Sequence, residues 1–184
     1  MLLDKDKSCL LVIDLQEKLT PKVINARHML EQCEWLMRLA SELDVPVLVC
    51  EQYPKGLGYT VEPLRSLLPM HVVLEKVTFS AYRDSNIQAQ IQEIHRKQII
   101  IVGIETHVCI LQTALDLVAN GYEVYVVLDA VGARHLIDHQ TAIDRMKHEK
   151  VHIITTEMIF YEWLKQAGTP VFKGLNQAFM KKDS

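Results

Sequence analysis

Short runs of branched aliphatic residues alternate along this chain with longer stretches in which apolar positions recur every three or four residues. An unbroken apolar run of four to eight residues suits a strand buried on both faces, whereas a 3.6-residue period suits a helix with one face in a core. SCLLVIDL, which reaches Asp14, predicts a first strand. Residues 24–43 predict a helix with Leu30, Leu36, Met37, Ala40 and Leu43 on one face, stopped by Asp44-Val-Pro46. VPVLVC predicts a second strand, HVVLEK (71–76) a third, QIIIVG a fourth, EVYVVLDA a fifth and VHIITT a sixth. Between them, Asp84 or Ser85 is placed to cap a helix carrying Ile87, Ile91 and Ile94 along one face. Residues 107–120 predict a helix that Asn120-Gly121 closes, and residues near 138–148 predict another. From Met158 onward, Phe160, Tyr161, Trp163 and Leu164 predict a last helix, ended by Gly168-Thr-Pro170, and Lys181 and Lys182 read as a disordered charged tail.

Strands of this kind alternating with helices imply a parallel sheet covered on both faces. The expected architecture is α/β, a three-layer Rossmann-like fold whose six-stranded, mainly parallel sheet has helices on both sides. No repeat, low-complexity tract or composition shift divides the 184 residues, so residues 1–184 are expected to form a single domain.

Composition narrows the function. A net charge of −3 removes the usual electrostatic reason to propose a nucleic-acid partner. No apolar run approaches the ~20 residues of a membrane helix. The start, MLLDKDKSCLLVID, has acids ahead of its apolar run and no small-residue cleavage site, unlike a secretory signal. The four cysteines, Cys9, Cys33, Cys50 and Cys109, lack CxxC pairing, so reduced thiols in a cytoplasmic protein are expected rather than a disulfide or zinc framework.

In an open parallel sheet, ligands collect beyond the carboxyl ends of the strands. The polar residues there are Asp14 after strand one, Glu51-Gln52 after strand two, Glu75-Lys76 after strand three, Glu105-Thr-His-Val-Cys109 after strand four and Asp129 after strand five. Asp14, Lys76 and Cys109 thus offer a carboxylate, an amine and a thiol on one edge. The attacking form of a thiol is the thiolate, which a helix N-terminus and a nearby ammonium stabilise. A carboxylate can take the thiol proton and later return it, and backbone N–H groups in the strand-to-helix turn can hold an oxyanion. Taken singly, Cys109 could be a small buried hydrophobe, Asp14 a cap and Lys76 a solvated strand-end charge; only their joint placement favours a site.

Three segments carry a resemblance. LLVIDLQEKL, KVTFSAY and GIETHVCILQTALDLVANGYEVYVVLDAVGAR are similar, in that order, to segments of the isochorismatase-like cysteine hydrolases, which include nicotinamidases and N-carbamoylsarcosine amidohydrolases. The resemblance spans roughly residues 8–156. It implies a triad in which Cys109 is the nucleophile, Asp14 the general base and acid, and Lys76 the group that orients and tunes both. It also implies a cis peptide between Ile104 and Glu105, with the N–H groups of Glu105 and Cys109 forming an oxyanion hole. Nicotinamidases of the family carry an aspartate and histidines for a metal after strand two, whereas CEQYPKGLG here has no histidine before His71. The expectation is therefore no catalytic metal, no cofactor and no nicotinamidase activity. Cleavage of isochorismate's enol ether does not need the cysteine, so its presence favours carbonyl chemistry on an amide-like C–N bond of a small molecule. A catalytically silent binding or scaffold protein is the alternative.

Gln16, Gln52, Phe79 and Tyr82 are candidate pocket walls, and His107 a pocket or surface residue; at i and i+2 it should face away from Cys109. His135 and His139 read as a solvated helix face, Trp35 and Trp163 as core or interface. The apolar segment IFYEWLKQAG is explained either by homo-oligomer packing, common in the family, or by docking on its own domain. No nucleic acid and no membrane are expected as partners.

Overall fold

A computed structural model describes residues 1–70 and 72–180, so His71 at the start of the predicted third strand, and Lys181 and Lys182, lie outside the described residues. The strands are β1 (Ser8–Ile13), β2 (Val47–Gln52), β3 (Val72–Lys76), β4 (Gln98–Ile104), β5 (Glu123–Gly132) and β6 (His152–Ile154). The helices are α1 (Ala26–Glu42), α2 (Pro54–Leu57), α3 (Ser85–Glu93), α4 (Leu111–Ala119), α5 (Leu136–His148), α6 (Thr156–Leu164) and α7 (Pro170–Phe179). All strands pair in parallel, in the order β3-β2-β1-β4-β5-β6.

Every residue of β1 and β4 is buried, as their unbroken apolar runs require. Successive side chains of β1 feed opposite cores. Leu10 and Val12 join Leu36, Leu39 and Phe160 of α1 and α6, whereas Cys9, Leu11 and Ile13 join Ile87, Ala114 and Leu117 of α3 and α4. The chain runs outward from β1 through β2 to β3 and then returns to start β4 on the other side of β1. That reversal makes the carboxyl ends of β1 and β4 the switch point of the sheet, and Asp14 and residues 103–109 follow those ends.

Gly103 keeps those two ends close. Its φ is +118°, and a Cβ there would stand 2.0 Å from the Ile13 carbonyl oxygen and 2.8 Å from its carbon, which are backbone atoms that cannot yield. Gly103→Ala is expected to cost about 2–3 kcal/mol through overpacking and a disfavoured φ. A urea midpoint unchanged from the parent would show that the strands can separate there without penalty.

Three elements depart from expectation. β5 does not stop at Asp129 but continues to Gly132 after a register shift opposite Ile101 and Gly103. Asp129 is spent elsewhere: its carboxylate accepts from the Thr156 N–H (3.1 Å) and hydroxyl (2.7 Å) at the start of α6. The predicted helix 107–120 begins as a π turn, Thr106–Ile110, in which the Ile110 N–H reaches back to the Glu105 carbonyl at 3.3 Å. The third departure is α7, which the sequence pattern does not announce. α6 ends at Leu164, where Lys165 turns to φ +59°, before Gly168-Thr-Pro170 is reached; those residues instead start the next helix, because Thr169 caps α7 by accepting from the Phe172 N–H (3.0 Å) and Pro170 occupies its first turn. α7 packs against α1 of the same chain, with the Trp35 indole N–H donating to the Phe179 carbonyl at 3.1 Å. Ile159, Phe160 and Trp163 of α6 are likewise buried in their own core. No helix among the described residues is long and apolar enough to cross a membrane.

Candidate active site

Asp14 follows β1 with φ +57°, a left-handed conformation that aspartate tolerates better than most residues, and its N–H is held by the Cys50 carbonyl at 3.0 Å. Lys76 ends β3, two strands away, and its side chain is completely buried. Its Nζ donates to Asp14 Oδ2 (2.8 Å) and to Gln52 Oε1 (2.6 Å). An ammonium has three N–H groups. The third is shared among the Thr78 and Phe79 carbonyls, each at 3.3 Å, and Cys109 Sγ at 3.6 Å. Asp14, Lys76 and Cys109 are thus brought together at the switch point, from positions 14, 76 and 109.

Burial sets the protonation. The Asp14 carboxyl is pushed above its ordinary range by loss of water, against the pull of Lys76. Cys109 is pushed up to about 12, first by burial and then by the Asp14 charge, with Lys76 opposing. Asp14 Oδ1 is buried and makes no hydrogen bond among the described residues. Lysine and the start of the helix favour a thiolate, whereas burial first and the Asp14 carboxylate second favour the thiol. Cys109 retains 6% exposure, while Cys9, Cys33 and Cys50 have none.

The other predicted site residues separate into braces and rims. Gln16 is fully buried and its amide is consumed by backbone, donating to the Gln52 (2.9 Å) and Gly58 (2.7 Å) carbonyls and accepting from the Gln52 N–H (2.7 Å). It is a strut between β1, β2 and the following loop, not a pocket wall. Gln52 also points inward, accepting from Lys76 and donating to the Val77 carbonyl at 2.8 Å. Tyr82 is buried edge-on against Tyr122, ring centroids 5.9 Å apart, so it belongs to the core as well. Phe79 is exposed at the rim, on the loop whose carbonyls hold the lysine. His107 faces α5, with Nε2 3.9 Å from Asp138, away from the sulfur's partners.

Glu105 is joined to Ile104 by a cis peptide, and its carboxylate is turned outward to Arg134 at 2.9 Å. The loop after β2 is stitched down rather than free: Thr60 donates to buried Glu51 through its N–H (2.8 Å) and hydroxyl (2.6 Å), and Lys18 reaches the Gly56 carbonyl at 2.8 Å. A groove of about 280 Å³ reaches Lys76 from the β3 edge, walled by Tyr53, Lys55 and Val77, and Cys109 is not among its walls. Among the described residues no three His, Cys, Asp or Glu side chains cluster as a metal site. Two features are not legible in the sequence pattern: Gln52 as the neutral partner of Lys76, and Thr106, whose hydroxyl meets His139 of α5. Only the polar ending of strand two hints at the first.

A parallel sheet with a thiol, a carboxylate and an ammonium at its switch point has the architecture of a family of hydrolases. The isochorismatase domain matches residues 8–158, and the chain belongs to the isochorismatase family. It is 35% identical over 175 residues to isochorismatase family protein 1B of Dictyostelium discoideum, covering 92% of this chain and 84% of that protein. A structure described as MAR1 ribonuclease from Caenorhabditis elegans superposes with a TM-score of 0.91 at 31% identity, covering 100% of this chain and 95% of the other. The Escherichia coli YcaC gene product, described as an octameric hydrolase of unknown specificity, shares the fold with a TM-score of 0.90 at 24% identity, covering 98% and 91%.

Proposed function

We propose that this protein is a metal-independent cysteine hydrolase that cleaves an amide-like C–N bond of a small molecule. The observation that carries the reading is the buried Asp14–Lys76 pair at 2.8 Å with Cys109 Sγ 3.6 Å from the same ammonium. As the sulfur attacks the substrate carbonyl, its proton passes to Asp14, so the carboxylate charge moves onto the developing oxyanion. The N–H groups of Glu105 and Cys109 receive that oxyanion. Collapse of the intermediate breaks the C–N bond while Asp14 returns the proton to the amine. Water then attacks the thioester, giving a proton to Asp14 that goes back to the sulfur as the acid leaves. Lys76 supplies the fixed positive charge throughout, so the scheme requires no metal.

The ribonuclease description of the nematode structure raises RNA as a substrate. A net charge of −3 gives little to hold phosphates, and a carboxylate-thiol pair suits a carbonyl carbon better. Filter binding across a salt series tests that choice. A homo-oligomer, as described for the octameric neighbour, is also part of the proposal; light scattering that returned only the 21.1 kDa chain mass would remove it.

The test is a panel of small amides and carbamoyl compounds, with mass spectrometry on the tryptic peptide carrying Cys109. An acyl adduct there, and amine release lost in Cys109→Ala, are expected. Iodoacetamide should also alkylate Cys109 well ahead of the three unexposed cysteines. Equal labelling of all four thiols, or no Cys109-dependent amine release from any compound, would favour a silent binding protein.

A further inference from the structure

We propose that the cavity between the starts of α1 and α5 is a second small-molecule site, coupled to the nucleophile turn through His139 and Thr106. The cavity measures about 170 Å³ and lies against the last residues of β5, from Leu128 to Gly132; Asp14, Lys76 and Cys109 do not line it. Ile24, Met29, Leu128 and Leu136 give it an apolar lining, and His28 and His139 place two imidazoles on its wall. Asp129 also borders it, but that carboxylate is engaged by Thr156, so the wall has no free anion to attract a cation.

His139 fixes the class of ligand. Its Nδ1 is 3.0 Å from Thr106 Oγ1, and Thr106 is completely buried at the head of the turn that carries Cys109. Among the described residues His139 is the only hydrogen-bond partner of the Thr106 side chain. A buried hydroxyl whose proton has one acceptor available donates to it, so Thr106 gives its proton to Nδ1 and the ring hydrogen sits on Nε2. Half-burial depresses the imidazole's pKa, which agrees with a neutral ring. Among the described residues the ring's only hydrogen bond is the one through Nδ1, which leaves the Nε2 N–H for an acceptor, and His139 stands between this cavity and a neighbouring open cleft bordered by Gln140, Asp144 and Lys147. The site therefore takes an uncharged organic molecule with a compact apolar body and one oxygen acceptor. A bond to Nε2–H makes Nδ1 a stronger acceptor, tightening its hold on Thr106 and thus on the turn behind Cys109.

Benzyl alcohol is a suitable probe, having an aromatic body, one oxygen and no scissile C–N bond. Titrated into the full chain with ¹³C-labelled methionine methyls, it should shift the Met29 signal saturably. Toluene, lacking the oxygen, should bind roughly tenfold more weakly, as expected for one lost hydrogen bond. Leu128→Trp, which adds bulk to the lining, should abolish the shift, and Cys109→Ala should leave it intact. Benzyl alcohol should also change the Cys109 alkylation rate at least about twofold, within the usual range of coupling between sites, and should not do so in Thr106→Val. Only this coupling arm rests on the nucleophile reading above; the binding arm stands without it. No saturable Met29 shift, a shift surviving Leu128→Trp, equal binding of toluene, or a second copy of the chain covering the cavity in solution would overturn the site. An alkylation effect that persisted in Thr106→Val would overturn the route to the turn.

Discussion

Lys76→Met is expected to destabilise the protein by about 3–5 kcal/mol, because it removes one partner of a fully buried ion pair and leaves the other charge uncompensated. In a protein of this size that lowers the melting temperature by roughly 10–15 °C. Two groups lose a donor at once, the Asp14 carboxylate at 2.8 Å and the Gln52 carbonyl at 2.6 Å. The deficit should depend on pH in a defined direction. Asp14 already titrates above the ordinary 3.8 because it is buried, and Lys76 is the main influence opposing that rise. Without the lysine its folded pKa rises further. A carboxyl with a raised folded pKa holds its stability below the unfolded value and loses it as pH rises through the folded value. The gap between parent and variant should therefore be smallest near pH 4 and widen toward neutrality. Replacing both partners, as in Lys76→Met with Asp14→Leu, should recover much of the loss, since no charge then remains buried. Denaturant melts of the three proteins at several pH values check this. A Lys76→Met protein within about 1 kcal/mol of the parent at all pH values would mean that water reaches the pair.

Much of this arrangement is legible in the chain without coordinates. The six apolar runs fall in β1 to β6, and the parallel sheet follows from their alternation with helical segments. Asp14, Lys76 and Cys109 are legible because strand ends in a parallel sheet share one edge, so three strand-terminal residues can be placed together without knowing their distances. What pattern cannot carry is direction and commitment. Gln16 looks like a free polar residue beside the aspartate, yet both ends of its amide are used by backbone. Tyr82 looks like a rim aromatic and packs inward on Tyr122, 40 positions along the chain, a contact only tertiary structure specifies. His139 reads as a solvated helix face because its partner, Thr106, belongs to another element. α7 stays hidden because glycine and proline signal a stop without saying whether a new helix starts on the same residues.

The thiol's protonation is the least legible property, and Asp14→Asn exposes it. Judged by residue types alone, removing the base should make Cys109 sluggish in every reaction. The coordinates separate two effects that this view merges. Turnover of whichever amide acylates Cys109 should fall by about 10²–10⁴-fold, the usual contribution of a positioned general acid-base group. Alkylation of Cys109 by iodoacetamide near pH 8 should rise instead. Burial and the Asp14 charge hold the thiol at about 12, and the amide of the Asp14→Asn variant removes the second of these while leaving the Lys76 ammonium 3.6 Å from the sulfur. Each unit by which the thiol pKa falls gives about tenfold more thiolate at a fixed pH below it, so an increase of at least about tenfold is expected. Alkylation rates measured from pH 6 to 10, followed on the Cys109 peptide, distinguish the cases. Faster alkylation with lost turnover identifies Asp14 as a group that keeps the proton on the sulfur until a carbonyl arrives, whereas alkylation that slows in step with turnover would mean that the carboxylate already activates the resting thiol.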